Sequence, residues 1–268
     1  MKPILKWVGG KTQLLETILK KIPNKMDAYH ELFVGGGAVL LGLLESNKQI
    51  KNAYAYDINK ALIYLYKNIQ SNESFWETFV IYRDKMKNSE NKKDVYYEYR
   101  TLFNNSDPTS VEASVLFLIL NKTCFRGLYR EGPNGFNVPY GHYKSFPEIL
   151  TKETYVRMRE LIKEVTFIHS SYETVKVKKN DFVYADPPYY DTFVDYNKSG
   201  FKEEEHTKLF NYLKNLKCKF IMSNSNTEKV KDAFEEDACY KIEIVDARRA
   251  INSKNPAAKT TEILVLKT

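Results

Sequence analysis

One pattern near the start of the chain restricts the fold more than any other. A short apolar segment at 30–34 ends in three consecutive glycines at 35–37, and an apolar stretch of helical composition follows at 38–44. A second apolar segment, 52–56, then ends in the acid Asp57. Because two strands joined by a glycine turn and a helix form a βαβ unit, this part of the chain predicts a parallel sheet covered by helices.

The same alternation returns in the second half of the chain. Apolar segments typical of strands lie at 165–168, 181–185, 219–223, 240–245 and 262–266, and helical segments at 203–216 and 227–236 separate some of them. The predicted fold class is α/β, a doubly wound, Rossmann-like and mostly parallel sheet.

Between these halves the sequence pattern becomes typical of helices, in segments at 61–70, 73–87, 94–103 and 111–120. We therefore expect one domain formed by residues 1–59 and 145–268, interrupted by a mainly helical insertion at 60–144.

The composition indicates a globular protein that favours a polyanionic partner. Hydrophobic residues make up 43% of the 268 residues and charged residues 28%, which is typical of globular proteins. Lys and Arg number 41 against 34 Asp and Glu, a net charge of +7, and 14% of residues are aromatic. Positive charges bind phosphates and rings stack on bases, which favours nucleic acid. An AT-rich genome explains the same composition equally well.

Several classes of protein are disfavoured by what the sequence lacks. It has no apolar run long enough to span a bilayer and no signal peptide, so we expect an intracellular, cytoplasmic protein without a membrane partner. Cys124, Cys218 and Cys239 are far apart, and the four histidines show no ligand spacing. We therefore expect no disulfide framework and no metal.

The glycine turn and Asp57 predict a nucleoside site. In doubly wound sheets ligands bind beyond the carboxyl ends of the strands, and glycine lets the backbone approach them closely. A carboxylate after the second strand can accept both hydroxyls of a ribose. The third glycine of a dinucleotide fingerprint and a phosphate-binding loop are both missing. The site therefore suits a ribose and adenine without a pyrophosphate, and S-adenosylmethionine fits this description.

The segment ADPPYY, residues 185–190, follows a predicted strand and has an unusual composition. Prolines rarely continue a central strand or enter a helix, so we expect a rigid, exposed corner that displays Asp186 and Tyr189. A stiff turn capped by Asp186 would have the same sequence, and the segment alone does not distinguish these interpretations.

Taken together and in order, several blocks resemble the Dam-type adenine-N6 DNA methyltransferases (D12 class, alpha group). The blocks are KWVGGK at 6–11, ELFVGGG at 31–37, DIN at 57–59, LNKTCFRGLYR at 120–130, FNVPYG at 136–141, DPPY at 186–189 and RRAI at 248–251. They cover essentially the whole chain. The resemblance implies an enzyme that transfers a methyl group from S-adenosylmethionine to a flipped adenine in a short site of double-stranded DNA.

This resemblance implies that the DPPY corner is catalytic through Asp186, Pro187, Pro188 and Tyr189. Adenine N6 is a poor nucleophile because its lone pair is delocalised into the ring. Asp186 can accept one N6 hydrogen in a charge-assisted bond, and the carbonyl of Pro187 can accept the other. The proline pair fixes that carbonyl, and Tyr189 offers a ring face to a base that has left its stack. No nucleophilic cysteine is needed.

The resemblance also implies binding residues. Cofactor contacts are expected at Trp7, Lys11, Phe33, Gly35, Gly37, Asp57 and Asp186. DNA contacts are expected at Lys122, Phe125, Arg126, Leu128, Arg130, Asn137, Pro139, Arg248 and Arg249.

Among these, Arg130 has the fork geometry that reads a guanine edge, and Arg126 and Lys122 suit phosphates. The family often has Arg where Lys122 stands and Asn where Arg126 stands. The target therefore stays open between GATC, which the resemblance implies first, and CATG or another short site.

Two other classes of function also stay open. A DNA-binding module without catalysis would keep the basic segment but would not bind S-adenosylmethionine. An enzyme acting on RNA or on a glutamine amide would use a similar corner, and methyl-acceptor comparisons would separate it. We expect a monomer in solution, and a role in restriction-modification, in a virus or in the host is undecided.

Overall fold

The structure, a computed structural model, describes residues 1–189, 201–235, 237–248 and 259–267. Its strands are β1 (Lys25–Glu31), β2 (Gln49–Asp57), β3 (Glu131–Gly132), β4 (Gly135–Phe136), β5 (Val165–His169), β6 (Phe182–Ala185), β7 (Lys219–Ser225), β8 (Tyr240–Arg248) and β9 (Lys259–Lys267). Its α-helices are α1 (Leu15–Lys21), α2 (Ala38–Leu44), α3 (Lys60–Ser71), α4 (Phe75–Asn88), α5 (Lys92–Asn105), α6 (Val111–Thr123), α7 (Lys152–Leu161), α8 (Glu203–Asn215) and α9 (Glu228–Glu235). Within the described ranges, none of these helices combines the length and apolarity that a membrane span requires.

Seven strands form one sheet in the order β5-β2-β1-β6-β7-β9-β8. The five strands from β5 to β7 in this order are parallel, whereas β9 runs antiparallel between β7 and β8. The chain moves from β1 to β2 on one side and later to β6 on the other. A topological switch point therefore lies between β1 and β6, where ligands bind beyond the carboxyl ends of the strands. The amino end of β9 lies at the same edge.

Hydrophobic cores lie on both faces of the sheet because side chains alternate along each strand. On β6, Phe182 and Tyr184 pack into a core shared with α1 to α7. Val183 and Ala185 pack into a second core with α8 and α9. The doubly wound α/β fold predicted from the sequence is therefore confirmed.

Helix α6 forms the centre of the helical block between the early and late strands. Its residues are buried on nearly all sides, which is typical of an interior helix, and α3, α4 and α5 pack around it. Helix α3 also packs against β2, β5 and α7, so this block shares a core with the sheet. The division into domains at 1–59 with 145–268 and at 60–144 stays a prediction.

Helix α7 was not predicted from the sequence. Only Tyr155 and Met158 of this helix are buried, and an apolar stripe of two residues gives little periodicity. Thr151 caps the helix, because its Oγ1 accepts a hydrogen bond from the backbone N–H of Thr154 at 3.1 Å. This threonine is the signal that could have revealed the helix.

Candidate active site

The turn after β1 brings the backbone into close contact with an aromatic side chain. Gly35 and Gly37 have φ values of +46° and +73°, a region that other residues rarely adopt. A Cβ atom on Gly35 would lie 2.7 Å from Cδ1 of Trp7, so the contact requires glycine. The hydroxyl of Tyr66 donates to the carbonyl oxygen of Gly35 at 2.9 Å and fixes the turn.

Asp57, at the end of β2, holds the same turn from the neighbouring strand. Its Oδ2 accepts a hydrogen bond from the backbone N–H of Gly35 at 3.1 Å, and its Oδ1 accepts one from Asn59 at 2.9 Å. Burial raises the pKa of this carboxyl, and the backbone hydrogen bonds oppose the shift. A carboxylate oxygen can accept more than one hydrogen bond, so both oxygens retain capacity for a ligand.

Two apolar side chains follow the ends of β1 and β2 at this edge of the sheet. Ile58 is 75% exposed although it is large and hydrophobic, and the sequence reasoning did not single it out. Phe33 is half-buried, with its ring centroid 5.7 Å from that of Tyr172 and 5.9 Å from that of Phe201. An apolar surface beside a fixed carboxylate suits a ligand that carries both a flat ring and hydroxyls.

Lys11 and Asp186 form a buried ion pair at the end of β6. The Nζ of Lys11, a residue only 3% exposed, lies 2.7 Å from Oδ2 of Asp186. Nζ also donates to the carbonyl oxygen of Gly9 at 2.5 Å. Burial raises the pKa of Asp186 to about 6; the Lys11 charge opposes this shift, and the carboxylate of Glu262 adds to it.

The second oxygen of Asp186 has a different environment. Oδ1 is buried and has no hydrogen-bond partner in the part of the chain that the structure describes. An unpaired buried acceptor is costly, so this oxygen is suited to a donor that a ligand supplies.

The rest of the corner is more buried than the sequence predicted. Pro187 is buried, Asp186 and Tyr189 are half-buried, and Pro188 alone of the four is exposed. The prediction of an exposed corner is therefore wrong for Pro187, which lies two residues after the end of a strand that is buried on both faces. The Tyr189 hydroxyl donates to Oε2 of Glu262, and the Nζ of Lys11 lies 4.7 Å from its ring centroid.

Glu31 is a further acid at this edge of the sheet that sequence reasoning missed. It is the last residue of β1, is 2% exposed and accepts a hydrogen bond from the Tyr29 hydroxyl at 2.6 Å. Burial raises the pKa of Glu31 to about 8, and the nearby Asp186 adds to this effect. Glu31 and Asp186 therefore lie near each other beside Lys11, and burial disfavours the ionised form of both carboxyls.

The predicted DNA contacts after α6 form a compact loop. Phe125 is 44% exposed, and the guanidinium of Arg126 lies 5.1 Å from its ring centroid. The backbone N–H of Phe125 donates to the carbonyl oxygen of Pro139 at 2.8 Å, so the sequence blocks 120–130 and 136–141 lie side by side. Pro139 is exposed and Leu128 is half-buried.

Arg130 is oriented by a residue of the same loop. Its Nε donates to Oδ1 of Asn137 at 2.7 Å, and its Nη2 approaches the carbonyl oxygen of Asn137 at 3.5 Å. Lys122 is half-buried, and burial together with the charge of Lys6 lowers its pKa. Lys122 is therefore less accessible than an exposed lysine that binds a phosphate.

Trp7, which packs against the glycine turn, also contacts this loop. Trp7 stacks on Tyr129 with ring centroids 5.7 Å apart, so the predicted cofactor and DNA segments are in contact. Arg248 is the last residue of β8, and Arg249 lies outside the described residues. Among the described residues, no group of three or more His, Cys, Asp or Glu could hold a metal ion.

Comparisons with known proteins agree with this architecture. The family model described as D12 class N6 adenine-specific DNA methyltransferase matches residues 7–251. The Type II methyltransferase M.MjaIII of Methanocaldococcus jannaschii is 35% identical, over 97% of this chain and 96% of that protein. The Type II methyltransferase M.CviBI of Paramecium bursaria Chlorella virus NC1A is 34% identical, over 88% and 87%. A DNA adenine methylase of Escherichia coli is 32% identical, over 98% and 94%.

Proposed function

Because this chain belongs to the D12 class of N6 adenine-specific DNA methyltransferases, we propose that it methylates a flipped adenine in a short duplex site with S-adenosylmethionine as the donor. GATC is the first candidate site, and CATG or another short site is the alternative. The observation that carries the proposal is Oδ1 of Asp186, which is buried beside the ion pair with Lys11 and has no hydrogen-bond partner among the described residues.

Asp186 would act by orienting the N6 amino group. Lys11 holds Oδ2, so the side chain is fixed before a base arrives, and Oδ1 can accept one N6 hydrogen. The carbonyl of Pro187 would accept the second hydrogen. Together these acceptors would turn the N6 lone pair out of the ring plane and toward the methyl donor.

The ends of β1 and β2 fit S-adenosylmethionine. Asp57 keeps acceptor capacity for ribose hydroxyls, and the exposed Ile58 and half-buried Phe33 offer apolar surface beside it for an adenine. When bound, this cofactor supplies an electrophilic methyl group. The proposed contacts are those implied by the resemblance, namely Trp7, Lys11, Phe33, Gly35, Gly37, Asp57 and Asp186.

The loop after α6 would read and hold the DNA. Because Nε of Arg130 is taken by Asn137, a bidentate contact with guanine would use the two terminal nitrogens. The exposed Arg126 would contact a phosphate, and the exposed ring of Phe125 would fill the space of the flipped base. An intracellular location and a monomeric state remain predictions.

The test is to incubate the protein with unmethylated genomic DNA and S-adenosylmethionine, and to map N6-methyladenine by single-molecule sequencing. We expect methylation of one short site. Asp186→Asn, which keeps the shape of the side chain, should abolish it because an amide lacks the charged acceptor. Methylation that survives this substitution, or a wild-type protein that methylates no adenine, would contradict the proposal.

A further inference from the structure

We propose that Glu262 is a positioning residue that fixes the ring of Tyr189 for stacking on the flipped base. This inference rests on the proposed function, since it takes Tyr189 to be the stacking platform. Glu262 lies near the start of β9, where it pairs with Ser225 on β7 and Val245 on β8. Because β9 is antiparallel, this position lies at the edge where β6 and β7 end. Tyr189, which follows β6, therefore reaches past β7 to meet Glu262.

The bond between the two side chains is of a strong type. The hydroxyl of Tyr189 donates to Oε2 of Glu262 at 2.5 Å, across 73 residues of sequence. Hydrogen bonds from a hydroxyl to a carboxylate are shorter and stronger than neutral ones. Burial, Asp186 and Glu262 hold the pKa of Tyr189 well above its usual value, so the hydroxyl remains a donor at neutral pH.

Lys11 occupies one face of the ring. Its Nζ lies 4.7 Å from the Tyr189 ring centroid, a distance at which an ammonium group is attracted to an aromatic face. A base that stacks on Tyr189 must then use the opposite face. Because Glu262 holds the hydroxyl and Lys11 holds one face, the ring is ordered before the base arrives, and less entropy is lost on binding.

A purely structural role for Glu262, in holding the start of β9, makes different predictions. If Glu262 acts through Tyr189, removing the hydroxyl should abolish the effect of changing Glu262. If it only supports β9, the two effects should multiply, because the sites would be energetically independent. A double-mutant cycle therefore separates the two roles.

The experiment measures transfer of a labelled methyl group to unmethylated plasmid DNA over a range of S-adenosylmethionine concentrations that reaches saturation. The variants are Tyr189→Phe, Glu262→Leu and the double variant, with Glu262→Gln as the conservative change that keeps an acceptor. Glu243→Leu is the matched control, because Glu243 is a half-buried glutamate on β8 that pairs with Lys21 and Lys241.

We expect Tyr189→Phe and Glu262→Leu each to lower kcat about tenfold, the effect of losing one charge-assisted hydrogen bond. The double variant should match Glu262→Leu within about twofold, Glu262→Gln should recover part of the loss, and the KM for cofactor should stay nearly constant. Glu243→Leu should keep kcat.

A double variant whose loss in kcat is the product of the two single losses would overturn the inference, as would an equal loss in Glu243→Leu. A wild-type protein without transfer would instead overturn the proposed function, and this inference with it.

A second readout covers the case in which Glu262→Leu does not fold. Asp186 is faced by Lys11, Glu262, Glu31 and the phenols of Tyr184 and Tyr189. Glu262→Gln removes one negative charge near Asp186 and keeps the size of the side chain. In a plot of kcat against pH, the fall on the acid side (the acid limb) should therefore move to lower pH. An unmoved limb together with an unchanged kcat in Glu262→Gln would overturn the inference.

Discussion

The side chain of Asn121 and the backbone of Lys6 exchange two hydrogen bonds. The backbone N–H of Lys6 donates to Oδ1 of Asn121 at 2.9 Å, and Nδ2 of Asn121 donates to the carbonyl oxygen of Lys6 at 2.8 Å. Asn121 is buried near the end of α6, just before the loop that carries most of the predicted DNA contacts. One amide therefore joins the segment that carries Trp7 and Lys11 to the helix that precedes most of the predicted DNA contacts.

Replacing Asn121 should weaken the fold and the site together. Asn121→Ala should lower the free energy of unfolding by about 2–3 kcal/mol, because it leaves both backbone groups of Lys6 without this partner. Urea unfolding followed by circular dichroism measures the change. Asn52→Ala is the control, since Asn52 is exposed and makes a single 3.5 Å bond to Asp27. An equal loss in both variants would contradict the role of Asn121.

Asp57 should contribute to cofactor affinity. Asp57→Ala should weaken binding of S-adenosylmethionine by about 1–3 kcal/mol, the value of a lost charged acceptor, in calorimetry without DNA. Asp107→Ala is a matched control: Oδ1 of Asp107 accepts from the backbone N–H two residues later at 2.9 Å, as Oδ1 of Asp57 does, but Asp107 is exposed. Unchanged affinity in Asp57→Ala would remove this residue from the site.

Arg130 and Arg126 should differ in the kind of DNA contact they make. Arg130→Ala should lose about 1–3 kcal/mol of discrimination at one guanine of the mapped site. Arg126→Ala should weaken all sequences alike and reduce the salt dependence of binding by about one unit. Binding is measured on single-base variants of the site at several salt concentrations. Uniform weakening by Arg130→Ala would show that it holds the backbone rather than reading a base.

The activity should depend on the ionisation of Asp186. Only the carboxylate accepts the N6 hydrogen, so kcat should fall as the pH drops through about 6, the value to which burial raises the pKa. Lys11→Met removes the charge that favours the ionised form, and the acid limb should therefore move to higher pH. Lys20→Met, at an exposed lysine paired with Glu16, should leave the limb in place. A shift to lower pH in Lys11→Met would refute this account.

The strands were predictable because parallel strands are apolar runs that end in turn residues. The limits of β6 agree with the predicted segment within one residue. For β1, the predicted segment 30–34 lay too late, since the strand is Lys25–Glu31. Its start carries polar residues such as Lys25 and Asp27, which conceal a strand from a pattern based on hydrophobicity.

The contacts within the site were not predictable in the same way. The pairs Lys11–Asp186 and Tyr189–Glu262 join residues far apart in sequence, and both depend on which strands are neighbours in the sheet. Strand order and the antiparallel direction of β9 result from long-range packing, which local periodicity does not encode. Motif resemblance identified Lys11 and Asp186 separately, but neither the ion pair nor the role of Glu262.

The position of β9 has a consequence for the order of events during synthesis. Lys11 leaves the ribosome early, Asp186 much later, and Glu262 later still. Strand β8 leaves before β9, and β9 is its neighbour in the described sheet. Although β8 packs against α9, it has no strand to pair with in that sheet until β9 inserts beside β7. The helices around α6 rest on contacts closer in sequence and can fold earlier. A nascent chain should therefore carry a folded helical block while the DPPY corner at 186–189 is still unsupported, and DNA methylation should begin only after residues 259–267 have been made.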